Sequence, residues 1–230
     1  MAERAWRIAV LDSGVEPALM PNVQQLVRLV DDGDQVHRRA AVDDPLGHGT
    51  LVAGIIASAP KPVELLIAQV LNERGRCTAA ALAAGIDWAL QHGAELLHVS
   101  LGLPHDRAVL AAAVAASRKS GALVVAAAPA RGLTTYPAAY PGVLRATGDA
   151  RCGGEQISFL NSASADFGAC PVHTDSMGNV ARGASIAAAY LSRYILTHVT
   201  AGVSAWEVYQ NLMQSAVFQG PERHCPVAHA

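Results

Sequence analysis

Short apolar, β-branched runs recur along this chain, separated by longer alanine-rich stretches, and that alternation restricts its fold more than any other feature. "RIAVLD" (7–12), "VELLIAQVL" (63–71), "ELLHVSLG" (95–102) and "GALVVAAAP" (121–129) read as buried strands, with "VLRATGD" (143–149) as a fifth. Helical stretches lie between and after them, over 48–59, 78–92, 106–121, 184–200 and 204–218. Strands apolar on both faces that alternate with helices predict a mostly parallel sheet with helices on both faces. The 51% hydrophobic content of 230 residues is enough for one large core. No linker, internal repeat or low-complexity tract divides the chain. The expectation is one α/β domain over 1–230, ending in a polar tail from about 219 to 230.

The formal net charge is −2 and no Lys/Arg run occurs, which excludes a nucleic-acid footprint and a polybasic membrane patch. Pro129 interrupts "GALVVAAAPA", and Arg193 and His198 interrupt "GASIAAAYLSRYILTH", so neither run predicts a membrane span. The opening "MAERAWRIAVLDSG" lacks the pattern of a secretory signal. Cys77, Cys152, Cys170 and Cys225 form no C-x-x-C pair and read as free thiols, which points to a reducing, cytoplasmic setting. In the tail "ERHCPVAHA", His224, Cys225 and His229 are residue types that bind metals, but a polar terminus accounts for them. No metal and no cofactor is expected.

Chemistry in parallel sheets collects at the carboxyl ends of the strands. Asp12 follows the first strand in "VLDSG", although Asp-Ser-Gly is also ordinary turn chemistry. His48 stands between two glycines in "GHGTLVAGIIA", where a loop turns into a helix. Ser185, in "RGASIAAAYLSRYI", begins a helix of small residues. It is placed either to cap that helix or to present its hydroxyl near the positive end of the helix dipole. Taken together, an acid, a base and a hydroxyl stand in glycine-flanked motifs at element boundaries.

"VLDSG", "GHGTLVAGIIA", "HVSLG" and "GASIAAA", in that order, resemble the motif set of the subtilisin-like serine proteases. The segment from Val70 to Gly102 and "YPAAYPGVLRATG" extend the resemblance over nearly the whole chain. It implies a serine endopeptidase in which Ser185 is the nucleophile, His48 the general base and Asp12 the group that orients the histidine. A helix N-terminus would disfavour the imidazolium of resting His48. The resemblance further implies that a peptide or small protein substrate binds as an extended strand. Ser100, Leu101 and Gly102 would form one rail, and Gly75, Arg76 and Cys77 the other. Arg131 and Thr135 fall at the rim and base of the pocket for the side chain before the cleaved bond. Thr135 makes that pocket shallow, and Arg131 favours an acidic or polar residue there.

The chain also departs from the family pattern. Pro129-Ala130 stands where Gly-Asn is usual, so the side-chain donor to the oxyanion is missing and the backbone N–H of Ser185 remains. Loss of such a donor costs roughly 10²–10³-fold in turnover. Ile186 and Ala189 replace a methionine and a proline in the catalytic helix. The stretch between "IIASA" and "VELLIAQVL" is too short for the usual calcium loop. Nothing ahead of the first strand has the length of a propeptide. These features resemble small subtilisin-like enzymes that remove leader segments during maturation, as for the small subunit of quinohemoprotein amine dehydrogenase. A slow, selective endopeptidase is therefore expected, with a maturation complex as its setting. The alternative is a pseudoprotease that binds peptides, or acts as a chaperone, with little catalysis. An esterase ranks last because no G-x-S-x-G elbow is present.

Overall fold

A computed structural model describes residues 4–16 and 21–222. The tail residues His224, Cys225 and His229 lie outside them. The elements run in the order β1 (Trp6–Asp12), β2 (Val23–Asp31), β3 (Val36–Arg39), α1 (His48–Ala57), β4 (Val63–Gln69), α2 (Ala79–Gln91), β5 (Leu96–Val99), α3 (Ala108–Ser120) and β6 (Leu123–Ala127). There follow β7 (Val143–Gly148), β8 (Ile157–Phe159), β9 (Phe167–Ala169), β10 (Val172–Thr174), β11 (Val180–Arg182), α4 (Ala184–His198), α5 (Ala205–Ser215) and β12 (Phe218–Gln219).

Among the described residues, ten strands form one sheet in the order β12-β8-β9-β7-β6-β5-β1-β4-β2-β3. From β2 to β9 every neighbouring pair is parallel. Within this sheet, among the described residues, only β3 against β2 and β8 against β9 are antiparallel, and β10 and β11 form a separate antiparallel pair. The strands alternate their side chains between two cores, as the pleat requires. Ile8, Val10, Leu65, Ile67 and Val125 face α1, α4 and α5. Ala9, Leu11, Leu66, Ala68 and Val124 face α2 and α3. Burying each large side chain contributes roughly 1.5–3 kcal/mol. This two-faced burial is why the central strands read as unbroken apolar runs.

The five predicted strands and five predicted helices form, β1 one residue longer at its start, β5 half the predicted length and the others slightly shorter. The sheet also has strands the apolar runs do not signal, β2 and β3 at one edge and β8, β9 and β12 at the other. Helix α4 runs unbroken from Ala184 to His198, and Ala187, Ala188 and Ala189 are fully buried along it. Alanine in place of proline at 189 leaves the helix start intact, and these small side chains let α4 lie close against the sheet. No helix among the described residues is long and apolar enough to cross a membrane.

Candidate active site

Asp12 ends β1 at the carboxyl edge of the sheet and is fully buried. A buried carboxylate needs hydrogen-bond donors, and three groups provide them. The Ser13 N–H donates to Oδ1 at 2.6 Å, Ser100 Oγ donates to Oδ2, and His48 Nδ1 lies 2.9 Å from both oxygens. Because an ionised carboxylate only accepts, Nδ1 carries the proton and Nε2 presents its lone pair. That Nε2 lies 2.9 Å from Ser185 Oγ. The structure thus brings Asp12, His48 and Ser185 into one hydrogen-bonded line.

Local packing fixes this line. His48 is the first residue of α1, whose N-cap Gly47 has no side chain to offer. Instead Ser13 Oγ accepts the Gly49 N–H at 3.0 Å, and Asp44 accepts the Thr50 N–H and hydroxyl, both at 2.8 Å. Gly49 is required by close approach, since a Cβ there would stand 2.1 Å from the Gly14 carbonyl oxygen. The start of α1 is therefore seated on the turn that follows Asp12. Ser185 lies in the first turn of α4, where backbone N–H groups have no intrahelical acceptor.

The hydrogen bond to Asp12 raises the His48 pKa above its ordinary value. It outweighs burial, and the charges of Asp12 and Asp44 act in the same direction. This corrects the expectation that the helix N-terminus keeps the imidazolium disfavoured at rest. Burial pushes the Asp44 carboxyl up, but hydrogen bonds from Thr50, Ser13 and Leu46 together hold it below the ordinary carboxylate value.

Ser100 is buried against Asp12, while Leu101 and Gly102 continue beyond the end of β5 outside any strand ladder. Leu103 then pairs with Tyr136, tying this segment to the loop that carries Thr135. On the other side, Gly75, Arg76 and Cys77 lie in and after a closed turn. The Arg76 carbonyl accepts the Asn72 N–H at 3.0 Å, and the Arg76 N–H bonds Asn72 Oδ1 at 3.0 Å. Both backbone groups of Arg76 are therefore taken up within the turn, and this side has fewer free backbone groups than a full rail.

A cleft of about 150 Å³ lies between the 128–135 loop and the segment around Ala163 and Ser164. Thr135 lines it and Arg131 does not. Arg145 does, with its guanidinium paired to Asp166 at 2.7 Å. Ala130 offers only a methyl group, and its carbonyl accepts a bond from Ser164 Oγ at 3.3 Å. Asp44, Arg145 and Asp166 were not singled out from the sequence. Asp44 could have been, as an acidic residue just ahead of a helix whose N-cap is glycine.

The subtilase family model matches residues 3–197. The chain belongs to the subtilase family. It is 32% identical to the thermostable alkaline protease of Halalkalibacterium halodurans over 149 residues, covering 60% of this chain and 40% of that protein. Subtilisin DY of Bacillus licheniformis is 32% identical over 154 residues, covering 60% of this subtilase and 54% of the relative. The minor extracellular protease Epr of Bacillus subtilis is 28% identical over 204 residues, covering 83% and 29%. This subtilase thus matches about half or less of the length of these relatives. A mutant of the protease domain of PatA superposes with a TM-score of 0.69 at 22% identity, covering 96% of this chain and 93% of that one. That likeness establishes the fold.

Proposed function

We propose that this subtilase is a serine endopeptidase with a narrow substrate range. The observation that carries the reading is the continuous line from Asp12 through both nitrogens of His48 to Ser185 Oγ. In this mechanism His48 Nε2 takes the Ser185 hydroxyl proton as Oγ attacks a peptide carbonyl. Asp12 holds the tautomer and stabilises the imidazolium. His48 then returns the proton to the leaving amine, and water releases the acyl group by the same route. The relatives' names, which include an alkaline protease and a subtilisin, support this chemistry.

Three features support slow and dedicated cleavage over broad digestion. Ala130 contributes no side-chain donor to the oxyanion, the turn at Asn72–Arg76 offers few backbone groups, and the cleft that Thr135 lines holds only about 150 Å³. We assign the enzyme to maturation of a specific peptide or small protein by removal of a leader, in a maturation complex. Among the described residues Cys77, Cys152 and Cys170 form no disulfide, in keeping with a cytoplasmic setting.

Fluorophosphonate labelling tests the chemistry. Wild-type protein is expected to gain one adduct on Ser185, and Ser185→Ala none. If wild type stays unlabelled under native conditions, the endopeptidase reading fails and a peptide-binding pseudoprotease takes its place. Incubation with immature proteins encoded near its gene, read by mass spectrometry, then identifies the cut.

A further inference from the structure

The last turn of helix α3 carries Arg118 and Lys119, beside the first residues of β6 and β7. Those are the amino ends of parallel strands, so this edge of the sheet is opposite the one that carries Asp12. A cleft of about 830 Å³ opens there between the end of α3, the 138–144 segment and the start of α5. That volume is within the range of ligand-binding pockets, roughly 300–1,000 Å³.

Two features of its walls point to one class of ligand. The first is uncompensated positive charge. Arg118 and Lys119 have neither an ion pair nor a side-chain hydrogen bond among the described residues, whereas Arg145, also in the wall, is paired with Asp166. Arg118 is not swinging free, because its side chain lies across the backbone of Gly142, with Nε 2.4 Å from where a Cβ there would stand. The second is an aromatic platform. Trp206 is 66% exposed and its ring lies nearly parallel to that of Tyr209, 5° apart in plane. Tyr209 is held edge-on against Phe167 in the core.

Basic residues at the end of a helix are accounted for by the helix dipole alone. A tryptophan left largely in water on the wall of a concavity is not. A cationic edge facing an aromatic shelf suits a carboxylate beside an aromatic or apolar side chain. The concave shape suits a peptide better than a flat lipid surface. Ala138, Ala139 and Arg145 line both this cleft and the small cleft with Thr135, so the two share a wall.

We propose that this cleft is a second peptide site, which takes an acidic segment bearing an aromatic side chain from the protein substrate, away from the bond that is cut. The proposal rests on the endopeptidase reading only for assigning that segment to the substrate. The test uses the full chain with Ser185→Ala and fluorescence anisotropy of a fluorescein-labelled Gly-Glu-Phe-Glu-Phe-Glu amide. Saturable binding is expected, weakened roughly tenfold or more by Arg118→Ser with Lys119→Ser and by Trp206→Ala. The counterpart with lysine for glutamate should not bind. Absence of binding, equal binding of the lysine peptide, or indifference to these surface variants would overturn the proposal. So would Trp206-dependent capture by phosphatidylglycerol vesicles without peptide binding, which would make the patch lipid-facing. Because binding needs no catalysis, a wild type that resists fluorophosphonate yet binds the peptide defeats the endopeptidase reading and leaves the site standing.

Discussion

His98 Nδ1 lies 2.9 Å from Ser192 Oγ in the core, two turns along α4 from Ser185 and on the same helix face. His98 is also two residues before Ser100, whose hydroxyl bonds Asp12. Strand β5 and the residue that follows it therefore tie the helix of Ser185 to the Asp12 carboxylate. The His98 ring is fully buried and its Nε2 has no partner among the described residues. Burial lowers its pKa to about 4, against the attraction of Asp12.

That shift gives a stability prediction with a definite sign. The unfolded chain protonates His98 below the ordinary value of 6.5, while the folded protein resists until about 4. Stability from this group is full above 6.5 and is lost as pH falls towards 4, by on the order of 3 kcal/mol. His98→Asn keeps a polar group near Ser192 and removes the titration. Urea unfolding from pH 4 to 7 should show a flatter profile in the variant than in wild type. Parallel profiles would mean that the ring is not held neutral.

Asp44 governs His48 through space as well as capping α1. Its charge helps to raise the His48 pKa, and on the endopeptidase reading His48 must be neutral to accept the Ser185 proton. Asp44→Asn should therefore move the acid limb of kcat/KM to lower pH, so that activity at pH 6 rises relative to pH 8. Thermal stability should fall by about 1 kcal/mol from the weakened cap on Thr50. An acid limb that does not move would show that Asp44 acts on structure alone.

The central sheet was legible because strands such as Ile8–Asp12 and Leu65–Gln69 are apolar on both faces and leave a long hydrophobic trace. Strand β2 was not, because in "VQQLVRLVD" Gln24, Gln25, Arg28 and Asp31 interrupt the apolar residues and only Val27 and Leu29 are buried. Strands β8 and β9 have three residues each, and Phe167 and Ile157 become core only once the sheet is assembled. The site follows the same division. Asp12, His48 and Ser185 stand in glycine-flanked motifs visible along the chain. His98 with Ser192, and Arg145 with Asp166, become pairs only through contacts between residues 94 and 21 positions apart.

Gly102 and Thr135 form a coupled pair. A Cβ on Gly102 would stand 2.8 Å from the Thr135 Cβ, and a short branched side chain has little room to give way. On the endopeptidase reading, Gly102→Ala should lower kcat/KM by roughly tenfold or more by displacing the proposed substrate-binding segment. Thr135→Gly should relieve the contact and also deepen the cleft. In a double-mutant cycle, Gly102→Ala should cost much less in the Thr135→Gly background. A peptide library should show Thr135→Gly accepting larger side chains before the cleaved bond. Additive costs would separate the two residues.

Ala130 limits the chemistry on the endopeptidase reading. A donor aimed at the developing oxyanion is worth roughly 10²–10³-fold in turnover, because it stabilises charge absent from the ground state. Ala130 is exposed and carries a methyl group, so an asparagine can be placed there without opening the core. The preceding Pro129 fixes the approach of the backbone, which makes Pro129→Gly with Ala130→Asn the better variant. It should raise kcat by roughly tenfold to a hundredfold and leave KM nearly unchanged. A fall in KM with unchanged kcat would place the new amide on the ground-state substrate instead. Unchanged kinetics would mean that the Ser185 N–H and another group already satisfy the oxyanion.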